Sequence, residues 1–246
     1  FPAPLGRHST STPGAARSWE SNSSDTEFTF HLRENAQWSD GTPLTAQDFV
    51  YGIVRALSPS TGSTAEDLLL IQGARSFASG ESDASSLGVV AEDDHTLVIR
   101  LEKSNPDFPA LTAGAHYMPC NQAYFVACQG HYGLSSEYLI TNGPFTFASI
   151  YAWQTDTGER SITVTRSETY RGERRVQAAS VTYLIDYDAS YDSDPVTALV
   201  SGNVDILTLT EEQAQQAQEQ DCKILTLNDA VTGLLLNPAS EELENA

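Results

Sequence analysis

Phe28-Thr29-Phe30-His31-Leu32-Arg33, Trp38-Ser39-Asp40-Gly41 and Thr45-Ala46-Gln47-Asp48-Phe49-Val50, followed by Ile53-Val54-Arg55-Ala56-Leu57, decide how this chain folds. Phe28, Phe30 and Leu32 alternate with polar residues, the two-residue period of a strand with one buried face. Ser39-Asp40-Gly41 predicts a turn, because glycine reaches positive φ without steric cost. Thr45 stands three residues before Asp48, the spacing of a capping box. Phe49, Val50, Ile53, Val54 and Leu57 then share one helical stripe. Ser58-Pro59 ends that helix. The unit is a strand, a turn and a helix.

Downstream, a second helix is expected from Ser63 or Thr64 through Leu68, Leu69 and Ile71, fading towards Gly80. Val89-Val90-Ala91 and Leu97 to Leu101 flank Glu92-Asp93-Asp94-His95, which predicts a β-hairpin. Asn105-Pro106 opens a short helical segment around Phe108 to Leu111. Asn121 is placed to cap a helix carrying Tyr124, Phe125 and Cys128, with Gly130 near its end. After residue 140 the expected strands are 143–147, 162–166 and 181–185, the first two joined by the turn Asp156 to Glu159. A helix from Asp194 to Ser201, a short buried strand Val204-Asp205-Ile206 and a polar helix Glu211 to Gln220 follow. Two strands, 222–227 and 231–236, close the pattern. Strands alternate with helices, so the class is α/β with a mixed sheet. Residues 1–27 mix Pro, Ser, Thr and Gly with few apolar groups and read as irregular chain.

With 246 residues the chain can hold one large or two ordinary domains, and 40% apolar residues place it well above the disordered range. Thirteen Lys and Arg against 33 Asp and Glu give a formal charge of −20. That balance argues against a nucleic-acid or anionic-lipid partner bound through a basic face. No apolar run is long enough to span a bilayer as a helix. The start at Phe1 suggests a trimmed or processed N-terminus.

The sequence carries few chemical motifs. Cys120, Cys128 and Cys222 form no CxxC pair, and the helix expected between the first two holds them apart, so the pattern points to buried or idle thiols. Asp93-Asp94-His95 reads as a solvated turn rather than a metal site, and no cofactor is implied. His8, His31, His95, His116 and His131 sit in unrelated contexts; His31 is on the polar side of its strand and His131 is placed to cap helix carbonyls. There is no G-x-S-x-G, phosphate loop or dinucleotide fingerprint, and no catalytic residue is assigned. Tyr151 and Trp153 flank a loop and are candidates for stacking on a ligand. Trp38 reads as a ring anchoring the Ser39-Asp40-Gly41 turn.

Taken together, the strand, Trp38-Ser39-Asp40-Gly41, Pro43 to Val50 and Arg55-Ala56-Leu57 resemble the signature of extracellular solute-binding proteins, family 5, the oligopeptide- and dipeptide-binding subunits of ABC importers. Further blocks agree in order: Leu87-Gly88-Val89 with Asp93 to Leu97, Met118-Pro119-Cys120-Asn121, Tyr132-Gly133-Leu134, Thr141-Asn142-Gly143-Pro144-Phe145, Val181-Thr182-Tyr183 and Ala198 to Ile206. The resemblance covers residues 16 to 237. It implies a periplasmic-binding-protein-like class II fold of the cluster C type, with mixed β-sheets and flanking helices. It further implies a fragment of a two-lobed protein that lacks the second major lobe. Residues 1–140 are then an inserted subdomain of the first lobe, and 141–246 belong to its α/β core leading to the hinge.

The function implied is non-catalytic capture of a peptide by closure of two lobes, for delivery to an ABC permease. The protein would be a monomer at the cell surface or in the periplasm, held to the membrane only by a lipid anchor outside this sequence. Another cargo on the same fold (a nickel chelate, haem or a sugar) is the alternative, ahead of a secreted hydrolase or a purely structural surface domain. By family order Val231-Thr232-Gly233-Leu234 approaches the cleft, with Thr232 and Gly233 offering backbone contacts where relatives often carry tyrosine. Relatives often reach ligand with a Pro-Tyr pair where this chain reads Ser63-Thr64-Ala65. Trp38, Asp40, Gly41, Thr45, Asp48, Asn142 and Gly143 are signature positions expected to hold structure rather than ligand.

Overall fold

The alternation around Phe30 forms the strand it predicts. In the computed structural model, which describes residues 14–61, 65–149, 161–172, 176–184 and 194–225, β2 is Glu27–Leu32, with Phe28, Phe30 and Leu32 buried between half-buried neighbours. By its internal contacts the chain divides into Ser11–Tyr191 and a second unit, Asp192–Ala246 with Phe1–Thr10.

In the first unit β3 (Val89–Asp93) and β4 (Thr96–Arg100) form the expected hairpin, and β4 pairs antiparallel with β2, setting Phe28 beside Ile99 and Phe30 beside Leu97. Contrary to the irregular reading of 1–27, Ala16–Ser21 form β1, antiparallel to β2, so the sheet runs β1-β2-β4-β3. An edge strand needs backbone pairing more than a buried face; only Ala16 and Trp19 of β1 pack on the core, so its sequence lacks the alternation seen in β2.

Helix α1 (Ala46–Leu57) lays Ile53 and Leu57 into the core, with Phe49, Val50 and Val54 packed beside them, as its stripe predicts. Its contact with residues 118–120 is closer than side chains permit. Cys120 N–H donates to Asp48 O at 2.9 Å, and a Cβ on Gly52 would lie 2.5 Å from Met118 O. Phe108, on α3 (Phe108–Leu111), is fully buried against Phe28 (centroids 5.1 Å) and Tyr117 (5.7 Å).

The single helix expected near 63–80 is instead two pieces, a 3-10 turn at Glu66–Leu70 and α2 at Ala74–Ala78. Between them Ile71 bridges to Leu101, Gln72 N–H donates to Arg100 O, and Gly73 takes φ 75°. The backbone there continues the sheet edge, and a helix cannot spend the same donors. Asn121 caps α4 (Gln122–Ala127) by accepting Tyr124 N–H at 2.9 Å, as expected.

Strands β5 (Phe145–Phe147), β6 (Ser161–Arg166) and β7 (Ser180–Leu184) form a second, antiparallel sheet in that order. The turn expected at Asp156 to Glu159 lies outside the described residues. Every pairing among the described residues is antiparallel.

In the second unit α5 (Pro195–Val200) and α6 (Glu211–Glu219) bury Val196, Ala198 and Ala217. Thr210 and Gln213 close a capping box on α6. Val204-Asp205-Ile206 does not form its expected buried strand: Ile206 is 89% exposed, and no described strand pairs with it. Residues 222–225 are likewise irregular, and 226–236 lie outside the described residues. Short apolar runs become strands only where a neighbour supplies the other half of the ladder.

Asp194 accepts both Thr197 N–H and Thr197 Oγ1–H at 2.9 Å, and these bonds, the backbone one first, hold its carboxyl below the ordinary aspartate value. A lowered folded-state value means that the cap's stabilisation is complete above the unfolded-state pKa and is lost as pH falls through the folded one. The Asp194 carboxyl carbon should therefore titrate by NMR with a midpoint below that of aspartate in the unfolded chain. An equal or higher midpoint would sink the assignment.

Candidate functional site

The signature residues assemble around one carboxylate. Asp48 occupies the third position of α1, where a negative charge meets unpaired N–H groups and the positive end of the helix dipole. Its Oδ2 accepts Thr45 N–H (2.9 Å), Thr45 Oγ1–H (3.3 Å) and the indole Nε1–H of Trp38 (3.2 Å), and the box with Thr45 is closed. Trp38 and Asp48 are both buried, at 2% and 7% exposure. Trp38 packs with Leu44 and Ile140 in a small second core.

The turn before the helix is equally constrained. Asp40 Oδ1 accepts Thr42 N–H and Thr42 Oγ1–H, Gly41 N–H donates to Trp38 O, and Gly41 stands at φ 86°, a conformation costly for any other residue. Ser39 N–H donates to Thr141 O at 2.6 Å and Thr141 N–H returns to Ser39 Oγ, tying the turn to the segment that carries Asn142 and Gly143. The arrangement spends its polar groups on one another and on its own backbone. Chemically it is a staple.

The hairpin turn Asp93-Asp94-His95 has a role that its sequence does not announce. Asp94 O accepts Ala46 N–H (2.8 Å) at the start of α1, and His95 O accepts Leu32 N–H (2.7 Å) at the end of β2. Asp93 itself folds the turn, accepting His95 N–H and Thr96 Oγ1–H; these bonds, His95 first, hold its carboxyl below the usual value. No group of three or more metal-ligating side chains gathers among the described residues.

A second constellation lies at the other end of α1. The Cζ of Arg55 stands 4.6 Å from the Phe125 centroid and 5.3 Å from that of Tyr132, and the two rings are 5.2 Å apart. Tyr51 meets Phe125 edge-on at 5.9 Å, and Tyr132 lies near the buried thiol of Cys120. Burial, first, pushes the Tyr132 hydroxyl and the Cys120 thiol upward, so both stay neutral. Cys120, Cys128 and Cys222 are free thiols, the first two buried.

His131 Nδ1 lies 3.0 Å from Cys128 O at the end of α4, the capping geometry expected of it, while His31 approaches Glu20 at 3.6 Å on the polar face of β2. His116 Nδ1 pairs with Asp67 Oδ1 at 2.8 Å, a tie between loops that sequence reading misses because 49 residues separate the partners. Between α5 and α6, Thr197, Ser201, Gln216 and Glu219 line an open cleft of about 470 Å³, whose Asp194 is spent on the α5 cap. The four expected ligand contacts, Tyr151, Trp153, Thr232 and Gly233, all lie outside the described residues.

The fold so defined is part of a periplasmic-binding-protein-like fold. It matches the substrate-binding domain of an oligopeptide ABC transporter from Bacillus anthracis with TM-score 0.74 and 30% identity, over 85% of this chain and 39% of that one. The family profile described as bacterial extracellular solute-binding proteins, family 5 Middle, matches residues 10–245, and the chain belongs to that family. Among curated relatives, the dipeptide-binding protein DppE of Bacillus subtilis is 29% identical over 88% of this chain. The periplasmic oligopeptide-binding protein OppA of Escherichia coli is 37% identical over 70% of it. The chain spans 38% and 31%, respectively, of the lengths of these two relatives. No helix among the described residues is long and apolar enough to cross a membrane.

Proposed function

We propose that this chain is part of the substrate-binding component of a peptide importer, which captures oligopeptides or dipeptides by enclosure and hands them to an ABC permease without catalysis. The observation that carries this reading is the family match across residues 10–245, joined to relatives whose own names are peptide-binding. In this reading residues 1–140 form an inserted subdomain of the first lobe and 141–246 part of its core. Tyr151 and Trp153 stack on the ligand, and Thr232 and Gly233 offer it backbone groups. The protein is a monomer outside the cytoplasm, anchored by lipid. A cleft that closes around ligand excludes water from backbone hydrogen bonds, which is how a mixed set of peptides can be held without reading side chains.

One lobe grips one side of a peptide, so the present chain should bind weakly. Saturation-transfer NMR on the whole chain, with a mixed tripeptide set against sugars, haem and a nickel chelate as competitors, is the test. Transfer to peptides alone, reduced by Trp153→Ala, is the expected result; selective transfer to another cargo, or ester or peptide turnover, would overturn it. Titration calorimetry should find affinity weaker than micromolar, about −8 kcal/mol.

A further inference from the structure

The geometry points to a second binding site, independent of peptide capture: we propose that Arg55, set against Phe125 and Tyr132, is a subsite for a single carboxylate carried on an apolar or aromatic body. Three observations converge on it. The Arg55 Cζ and the two ring centroids, at 4.6, 5.3 and 5.2 Å, form a nearly equilateral triangle, so the two rings stand together as one aromatic wall beside the guanidinium. Among the described residues, no carboxylate pairs with Arg55 and no acceptor takes its side-chain N–H groups, although the chain carries 33 acidic residues against 13 basic ones. The neighbours that feel its charge, Tyr51, Cys120 and Tyr132, are acids whose pKa values burial raises, so none of these three supplies a negative charge to it.

The rest follows from guanidinium chemistry. Stacking on rings orients the fork of donors while consuming none of them, and a planar fork matches a carboxylate with two parallel bonds. The half-buried rings of Phe125 and Tyr132 supply an apolar wall for the body that carries the carboxylate. One positive charge matches one negative charge. A phosphate, with more charge and no apolar body, would meet the repulsion of a protein at −20 without using the rings.

The test follows the Arg55 Nε–Hε signal of the whole chain, assigned by its loss in Arg55→Lys, during titration with hippurate and with the tripeptide Gly-Gly-Phe, each against its carboxamide. A saturable shift with either acid, and at least about tenfold weaker or absent with its amide, is expected, as one lost charge-assisted pair predicts. Hippurate alone marks a small organic acid as the ligand, and the tripeptide alone marks a peptide terminus. Arg55→Lys, which keeps the charge without the fork, should weaken hippurate binding, read for both proteins by saturation transfer from the chain to hippurate, while retaining the wild-type circular dichroism. Equal shifts by acid and amide, no shift with either acid, or full hippurate binding by a folded Arg55→Lys protein would overturn the proposal. None of these outcomes touches peptide capture, which the Trp153→Ala experiment reads separately.

Discussion

Replacing Asp48 with alanine should destabilise the Ser11–Tyr191 unit by about 3 kcal/mol, the loss expected when a buried, charged acceptor is removed from donors that stay in place. Asp48 Oδ2 is the common acceptor for Trp38 Nε1–H, Thr45 N–H and Thr45 Oγ1–H, and Trp38 is 2% exposed, so its indole N–H has no water to turn to. The first turn of α1 loses its box and its favourable charge in the same step. Thr45→Ala should cost much less, because the Thr45 Oγ1 bond is the longest of the three and the backbone donor survives. Urea denaturation of the two variants checks both the size and the order. A loss below about 1 kcal/mol for Asp48→Ala, or a larger loss for Thr45→Ala, would show that the carboxylate does not organise the signature.

Gly52→Ala sets two effects against each other. In an exposed helix interior this change stabilises by about 1 kcal/mol, because alanine loses less conformational entropy than glycine. Here the new Cβ would sit 2.5 Å from Met118 O, 3.2 Å from Cys120 N and 3.4 Å from Pro119 C, all backbone atoms that no rotamer change can move. To make room, the 118–120 strip must lift and strain the Cys120 N–H to Asp48 O bond. Overpacking of this kind costs about 1–3 kcal/mol, with backbone collisions at the upper end, so the net result should be a destabilisation of about 2 kcal/mol. Gly130 is the control, since a Cβ there would meet no atom within 4 Å while its φ is 90°. Gly130→Ala should lose stability through backbone strain alone, without disturbing the Cys120 environment. Thermal unfolding with the Cys120 amide followed by NMR separates the two mechanisms. A Gly52→Ala protein as stable as the wild type would mean that α1 and the strip are not in backbone contact.

The two variants mark where sequence reading reached and where it stopped. The pairing of Thr45 with Asp48 was legible because both lie on one helical turn, where spacing alone sets distance. The indole of Trp38 as the third partner was not, since ten residues and a turn separate it from Asp48. The role of Gly52 left no local trace, because a glycine in a helix looks like a defect until the neighbouring strip is seen against it. The Asp93-Asp94-His95 turn behaved the same way. Its side chains suggested a solvated loop, while its carbonyls receive Ala46 and Leu32.

Local order, then, was settled within the chain itself wherever a period or a cap operates over a few residues: β2, the hairpin of β3 and β4, α1, α4, α5 and α6 follow from alternation, stripes and capping side chains. The motif order from Phe28 to Ile206 was enough to identify the family. Long-range pairing decided the remainder. It made a strand of Ala16–Ser21, broke the helix at Ile71 and left Ile206 outside the described sheets, because a backbone donor goes to whichever acceptor the fold brings near. It also gathered Arg55, Phe125 and Tyr132 from positions far apart in sequence, since ring and cation meet only after α1 and α4 have packed.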